Sequence, residues 1–119
     1  MKKILIVDDD IAILDAMQII LEEEGYMVKT SIDGKQIGTD IRDFEPNLIL
    51  LDIWMSGKSG LEIAEELRKD AATRLVPIIM MSALTDGKKA VRNIGVNDYL
   101  MKPFTIKEIT EKVKKHLQK

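Results

Sequence analysis

No cysteine occurs in this chain, which excludes disulfide staples and thiolate-ligated zinc and fits a reducing compartment. Neither sign of charge dominates. Eighteen Lys and Arg stand against 20 Asp and Glu, a formal net charge of -2, so no broad basic surface offers itself to nucleic acid. No apolar stretch approaches the roughly 20 residues needed to span a bilayer. The start Met1-Lys2-Lys3 resembles a signal peptide only briefly, because its apolar run of four stops at three aspartates. These absences point to a cytoplasmic protein. What remains is an ordinary globular composition, 45% hydrophobic and 32% charged over 119 residues, read as one domain spanning residues 1–119 with enough chain for a real core.

The segment Asn47-Leu48-Ile49-Leu50-Leu51-Asp52 organises the rest. Its aliphatic run, bounded by Pro46 and the Gly57/Gly60 loop, reads as a short strand buried on both faces. A carboxylate is not accommodated inside such a strand, so Asp52 is expected at its C-terminal end. Three other segments end on polar groups: Lys3 to Val7 runs into Asp8-Asp9-Asp10, Val76 to Met81 into Ser82, and Tyr99 to Met101 into Lys102.

Helical spacing fills the intervals. Asp10 is placed to cap a helix carrying Ile11, Leu14, Met17, Ile20 and Leu21 through about residue 24, stopped by Gly25. Met27 to Ser31 reads as an alternating second strand. Asp33-Gly34 is a turn, and Ile37, Ile41 and Phe44 mark a weaker helix containing Gly38. Leu61, Ala64 and Leu67 stripe a third helix, residues 86–94 a short fourth, and Ile106, Ile109, Val113 and Leu117 a fifth, with the fifth strand at 97–101. Strands alternate with helices five times, which predicts a parallel α/β sheet covered on both faces. Right-handed crossovers then bring every strand C-terminus to one edge, where ligands bind in such sheets. Asp8, Asp9, Asp52, Ser82 and Lys102 all fall on that edge. The strand order does not follow from these patterns.

Carboxylates crowded together repel, and a divalent cation relieves the repulsion. An all-oxygen ligand set points to Mg²⁺ or Mn²⁺. Lys102 supplies a point charge and Ser82 a hydroxyl donor, both suited to phosphoryl oxygens. Phosphoryl transfer needs mainly a positioned nucleophile and neutralised oxygens. Asp52, ending the most apolar strand, is the natural nucleophile, giving an aspartyl phosphate.

With Ile6-Val7-Asp8-Asp9-Asp10, Leu51-Asp52-Ile53, Gly60-Leu61-Glu62, Met81-Ser82-Ala83 and Asp98-Tyr99-Leu100-Met101-Lys102-Pro103-Phe104 in place, the chain resembles, over nearly its whole length, a receiver domain of bacterial two-component response regulators, of the single-domain chemotaxis and phosphorelay type. The resemblance implies a doubly wound (βα)5 fold with a five-stranded parallel sheet in the order 2-1-3-4-5. It implies that Asp52 accepts phosphate from a phosphohistidine on a sensor histidine kinase or phosphotransfer protein. Asp9 and Asp52 would ligate Mg²⁺ directly, with the Trp54 backbone carbonyl as third protein ligand and Asp8 acting through water. Lys102 and Ser82 would hold phosphoryl oxygens. Tyr99 matches the aromatic switch position, its ring turning into the space that the Ser82 hydroxyl leaves. The Lys102-Pro103 bond is often cis in relatives.

Each residue taken alone has a plainer role: Asp8 or Asp9 as a helix cap, Ser82 as a strand-end hydroxyl, Tyr99 as half-buried packing, Lys102 as a solvated lysine. Four strand ends carrying the right groups in the right order argue against coincidence. Departures from the family are Ser56, where proline is common, and the bulky Trp54 and apolar Leu84, two residues past Asp52 and Ser82. One expectation is that these two side chains hinder the attacking water and prolong the phosphorylated state; the other is that Trp54 lies on the surface without effect. His116, the only histidine, is read as a helix-terminal cation rather than a phosphate donor. Lys112, Lys114, Lys115 and Lys119 are read as a solvated C-terminal turn.

The resulting expectation is a phosphorylation-activated signalling switch, not an enzyme beyond its own phosphorylation and dephosphorylation. Its output face is the fourth helix, fifth strand and fifth helix, with Lys88, Lys89, Arg92, Tyr99, Met101 and Lys107 on or near it. The sequence ends with the last helix, so the expectation is that the chain acts through protein contact, relays the phosphoryl group onward, or is a fragment of something larger, with dimerisation on phosphorylation left open. Two rivals are weighed. A phosphohydrolase of the haloacid dehalogenase type would use Asp8-x-Asp10 and Ser82, but it leaves Asp52 without a role and lacks a second acidic pair after Lys102. A receiver-like scaffold would bind partners without phosphorylation.

Overall fold

The computed structural model describes residues 1–55, 57–84 and 86–118, Asp86 by its backbone alone. Ser56 and Lys119, both singled out in the sequence, lie outside the described residues. The elements run β1 (Lys3–Val7), α1 (Ile11–Glu23), β2 (Met27–Ser31), α2 (Ile37–Phe44), β3 (Leu48–Asp52), α3 (Gly60–Lys69), β4 (Ile78–Ser82), α4 (Asp86–Asn93), β5 (Asp98–Met101) and α5 (Ile106–Leu117). The strands form one sheet in the order β2-β1-β3-β4-β5, every pair parallel. This is the doubly wound arrangement expected.

Strand periodicity sorts the aliphatic side chains into two cores. Ile4, Ile6, Leu48, Leu50, Ile79 and Met81 join the buried stripes of α1 and α5 on one face. Leu5, Val7, Ile49, Leu51, Ile78 and Met80 face the other way, onto α2, α3 and α4. Because both faces are covered, β3 and β4 are buried at every position. β2 behaves differently. It shows no clean alternation, with Met27 exposed and the next four residues half-buried, because an edge strand has only one neighbour and thinner cover.

Element ends follow hydrogen bonding. Asp10 caps α1 as expected, its Oδ1 accepting from Ala12 N and Ile13 N. α5 opens with a capping box between Thr105 and Glu108. β4 starts at Ile78 rather than Val76, since the Val76 amide turns back to donate to Thr73 O and Pro77 has no amide to give. At its other end Ser82 is part of the strand. The Lys102-Pro103 peptide is cis. Among the described residues, no helix is long and apolar enough to cross a membrane.

Candidate functional site

β1, β3, β4 and β5 end side by side, in register. Val7 pairs with Leu51, Asp52 with Met81, and Ser82 with Met101. The residue that leaves or ends each strand is therefore Asp8, Asp52, Ser82 or Lys102, in a cluster imposed by sheet geometry.

Carboxylate oxygens of Asp8, Asp9 and Asp52 all lie within 4.8 Å of one another. Asp9 is exposed, whereas Asp8 is wholly buried and Asp52 is only 3% exposed. Asp52 does stand at the strand end, yet almost no water reaches it. Two buried carboxylates need compensation, and Lys102 provides it. Its Nζ donates to Asp8 Oδ2 at 2.8 Å and to Asp52 Oδ1 at 3.3 Å. The other oxygen of Asp8 accepts from Asp10 N.

Burial, followed by the charge of Asp8, pushes the Asp52 carboxyl up to about 6, against the lowering pull of Lys102. Burial pulls the Lys102 ammonium down, but its hydrogen bond to Asp8 and the two carboxylate charges outweigh that and raise it. The site thus holds more negative charge than its one lysine balances. Its hard-oxygen donor set, open to solvent through Asp9, fits a divalent cation.

Ser82 is buried; its Oγ accepts from Leu84 N at 3.0 Å, which leaves the hydroxyl proton to be donated. The Lys102 amide donates to Ser82 O and ties these two strand ends together. Tyr99 is half-buried on β5. Trp54 and Leu84, two residues past Asp52 and Ser82, are 58% and 57% exposed. An apolar cavity of about 460 Å³ opens beside the site between α1 and α5, with Ala83, Lys102 and Pro103 at its mouth.

A family model for the response regulator receiver domain matches residues 4–114. The chain belongs to the response regulator receiver domain family. As a receiver domain it is 37% identical, over 99% of its length, to the DNA-binding response regulator MtrA of Mycolicibacterium paratuberculosis, of which it covers 52%. It is 35% identical over its whole length to the DNA-binding dual master transcriptional regulator RpaA of Synechocystis, covering 50% of that protein. The receiver domain thus spans about half the length of the curated relatives it matches. Among solved structures it resembles the response regulator TrrA of Thermotoga maritima in complex with Mg²⁺–BeF. That match has 36% identity and a TM-score of 0.88, with 98% of this chain and 100% of the other covered. It also resembles the chemotaxis protein CheY4 of Vibrio cholerae, with 27% identity, a TM-score of 0.91 and coverage of 98% and 99%. Receiver domains of this family are phosphorylation-activated switches of two-component signalling, and the hydrolase alternative is not favoured. Within the site, the Asp10 carboxylate that alternative needs is already engaged in capping α1.

Several residues hold roles that their sequence spacing does not announce. Gly60, read as loop, opens α3 with its Cα pressed on the Asp52 backbone carbonyl, so that any Cβ would overlap that oxygen. Lys112 is not a solvated tail lysine: it donates to Asp98 Oδ1 and to Tyr99 O. His116 is not at the site either. Its Nε2 lies 2.9 Å from Asp98 Oδ2, at the start of β5 and so at the opposite edge of the sheet from Asp52. Residues 14 and 18 apart in sequence carry no local spacing that announces such pairings.

Proposed function

We propose that Asp52 is the phosphoacceptor of a two-component pathway. The observation that carries this reading is the joint placement of three carboxylates and Lys102 around the end of a strand buried at every position. One carboxylate oxygen of Asp52 attacks phosphorus in a phosphohistidine; the new O–P bond forms as the N–P bond breaks, and the imidazole leaves with its electron pair. Lys102 and the Ser82 hydroxyl hold phosphoryl oxygens and neutralise charge as it spreads over them. Asp9, Asp52 and the Trp54 backbone carbonyl are the residues to hold Mg²⁺, or Mn²⁺ in its place, with Asp8 acting through water. A bound Mg²⁺ supplies electrostatic stabilisation of the transferred group.

In this reading Ser82 moves toward the phosphoryl group and Tyr99 turns in behind it, which alters the α4-β5-α5 face. A protein partner or a second copy then reads that face. The donor is a sensor histidine kinase or histidine phosphotransfer protein in the cytoplasm. Its histidine must come within bonding distance of Asp52, so the donor covers the neighbouring apolar groove between α1 and α5. The chain catalyses only its own phosphorylation and dephosphorylation. MtrA and RpaA bind DNA; residues 1–119 correspond to the switch half of such a protein.

The test is intact mass after incubation with Mg²⁺ and acetyl phosphate. A Mg²⁺-dependent gain of one phosphoryl group that disappears in Asp52→Asn is expected. Donor turnover that persists in Asp52→Asn but is lost in Asp8→Asn would instead identify a hydrolase. Absence of both adduct and turnover, including with histidine kinases as donors, would leave an unphosphorylated scaffold.

A further inference from the structure

Tyr99 sits in register with Met80 of β4, and Ser82 lies two residues further along that strand. Tyr99 and Ser82 therefore belong to the same face of the sheet. The root of the Tyr99 ring is pressed on α4, where Gly87 has no side chain; a Cβ there would stand 2.6 Å from Tyr99 Cβ. On the α5 side, Lys112 Nζ lies 4.9 Å from the ring centroid.

That ammonium is not free to wander. It donates to Tyr99 O at 2.7 Å and to Asp98 Oδ1 at 2.8 Å. Asp98 is itself anchored by Tyr99 N and by His116. Burial would raise the Asp98 carboxyl, but the hydrogen bonds from Lys112, His116 and the Tyr99 amide outweigh it and hold it below its usual range, so it stays ionised at neutral pH. Lys112 is thus immobilised by the backbone of the residue whose ring it faces, and the cation–ring contact needs little further ordering.

Resting on the switch reading of Ser82 and Tyr99 given above, we infer that Lys112 is a positioning residue for Tyr99. It holds the ring toward α5 in the unphosphorylated protein, and the contact breaks when the ring turns in behind Ser82. A group that favours one of two states opposes any ligand that favours the other. Lys112 therefore sets how much phosphoryl binding energy is used to throw the switch. A cation–ring contact of this exposure corresponds to a factor of about two to five in the equilibrium.

The test is a titration of the full chain with beryllofluoride, a phosphoryl mimic, at saturating Mg²⁺, read by the fluorescence of Trp54. Wild type, Lys112→Gln, Tyr99→Leu and the double variant are compared. Lys112→Gln should lower the half-saturating concentration about two- to five-fold when Tyr99 is present and leave it unchanged in Tyr99→Leu. An equal shift in both backgrounds, or none in either, overturns the inference while leaving the phosphoacceptor reading intact. No response in wild type strikes down that reading itself, and the inference with it. Loss of Asp98's partner could unfold Lys112→Gln; the combination with Asp98→Asn keeps that pair neutral and carries the same expectation. Tyrosine-labelled NMR gives an independent readout, since only Tyr26 and Tyr99 contribute. Without mimic, the Tyr99 ring signals of Lys112→Gln should lie displaced from wild type toward the beryllofluoride-bound positions, and coincidence with wild type counts against the inference.

Discussion

Lys102 is bound more closely to Asp8 than to Asp52, at 2.8 Å against 3.3 Å. The lysine thus rests mainly on the fully buried carboxylate, and its pull on Asp52 only partly offsets the burial and the Asp8 charge that hold the Asp52 carboxyl up at about 6. The three clustered carboxylates thus carry more negative charge than this lysine balances.

This imbalance should appear as pH-dependent stability. A folded-state value of about 6, above the ordinary 3.8, means that between these pH values the folded chain holds a proton the unfolded chain has released. Stability from this group therefore falls as pH rises from about 4 to about 6, and the full penalty is present above that. A shift of this size corresponds to at most about 3 kcal/mol. In EDTA at pH 7.5, Asp52→Asn should be more stable than wild type by roughly 1–3 kcal/mol in urea unfolding. That excess should shrink as the pH falls from about 6 to about 4 and be gone below that, and Mg²⁺ should narrow it by stabilising wild type preferentially.

Removing the lysine tests the other half of the balance. Lys102→Ala leaves Asp8 and Asp52 without their shared cation, and such uncompensated burial costs on the order of 3 kcal/mol. Denaturation in EDTA should show this loss, and Mg²⁺ should restore more stability to the variant than it adds to wild type. Phosphorylation by acetyl phosphate should still slow by about a hundredfold, the effect of deleting one preorganised donor to a charged transition state. Lys102→Arg should not recover the rate, because a planar guanidinium does not replace a compact ammonium between two carboxylates.

Two glycines give opposite expectations for the same substitution. Gly60 abuts the Asp52 carbonyl, so Gly60→Ala must push α3 from the end of β3. A loss of about 1–3 kcal/mol is expected, together with slower phosphorylation, since the displaced carbonyl belongs to the acceptor. Gly38, inside α2, has nothing within 4 Å of an added Cβ. Gly38→Ala should stabilise the chain by about 0.5–1 kcal/mol and leave phosphorylation unchanged. Thermal melts and mass-resolved phosphorylation of both variants check the contrast.

The contrast also marks what the sequence makes legible. Aliphatic runs that end on a charge locate Asp8, Asp52 and Lys102 without any structure, because the sheet itself forces strand ends together. Helical spacing locates the cores for the same reason. Gly60 and Lys112 are different: the first matters through a backbone approach and the second through a partner 14 residues away, and neither leaves a periodic trace. Asp52's near-complete burial likewise leaves no periodic trace. The strand order needed a resemblance, since alternation of strands and helices is compatible with several orders.

If Asp52 is the phosphoacceptor proposed above, the side chains beside it are expected to set how long the aspartyl phosphate lasts. Water must approach phosphorus opposite the acyl oxygen, and a polar side chain beside that path can orient it by hydrogen bonding. Trp54 and Leu84, each more than half exposed, offer no carboxylate or amide for that purpose. Trp54→Asn combined with Leu84→Glu supplies polar groups at both positions and should shorten the aspartyl phosphate's lifetime by about tenfold, the low end of what a positioned acid–base group contributes. The measurement is the decay of the phosphorylated mass after donor removal, in excess Mg²⁺, for wild type, both single variants and the double. An unchanged decay in the double variant would show that Trp54 and Leu84 lie clear of the water's path, and that the lifetime is set by Ser82, Lys102 and the cation alone.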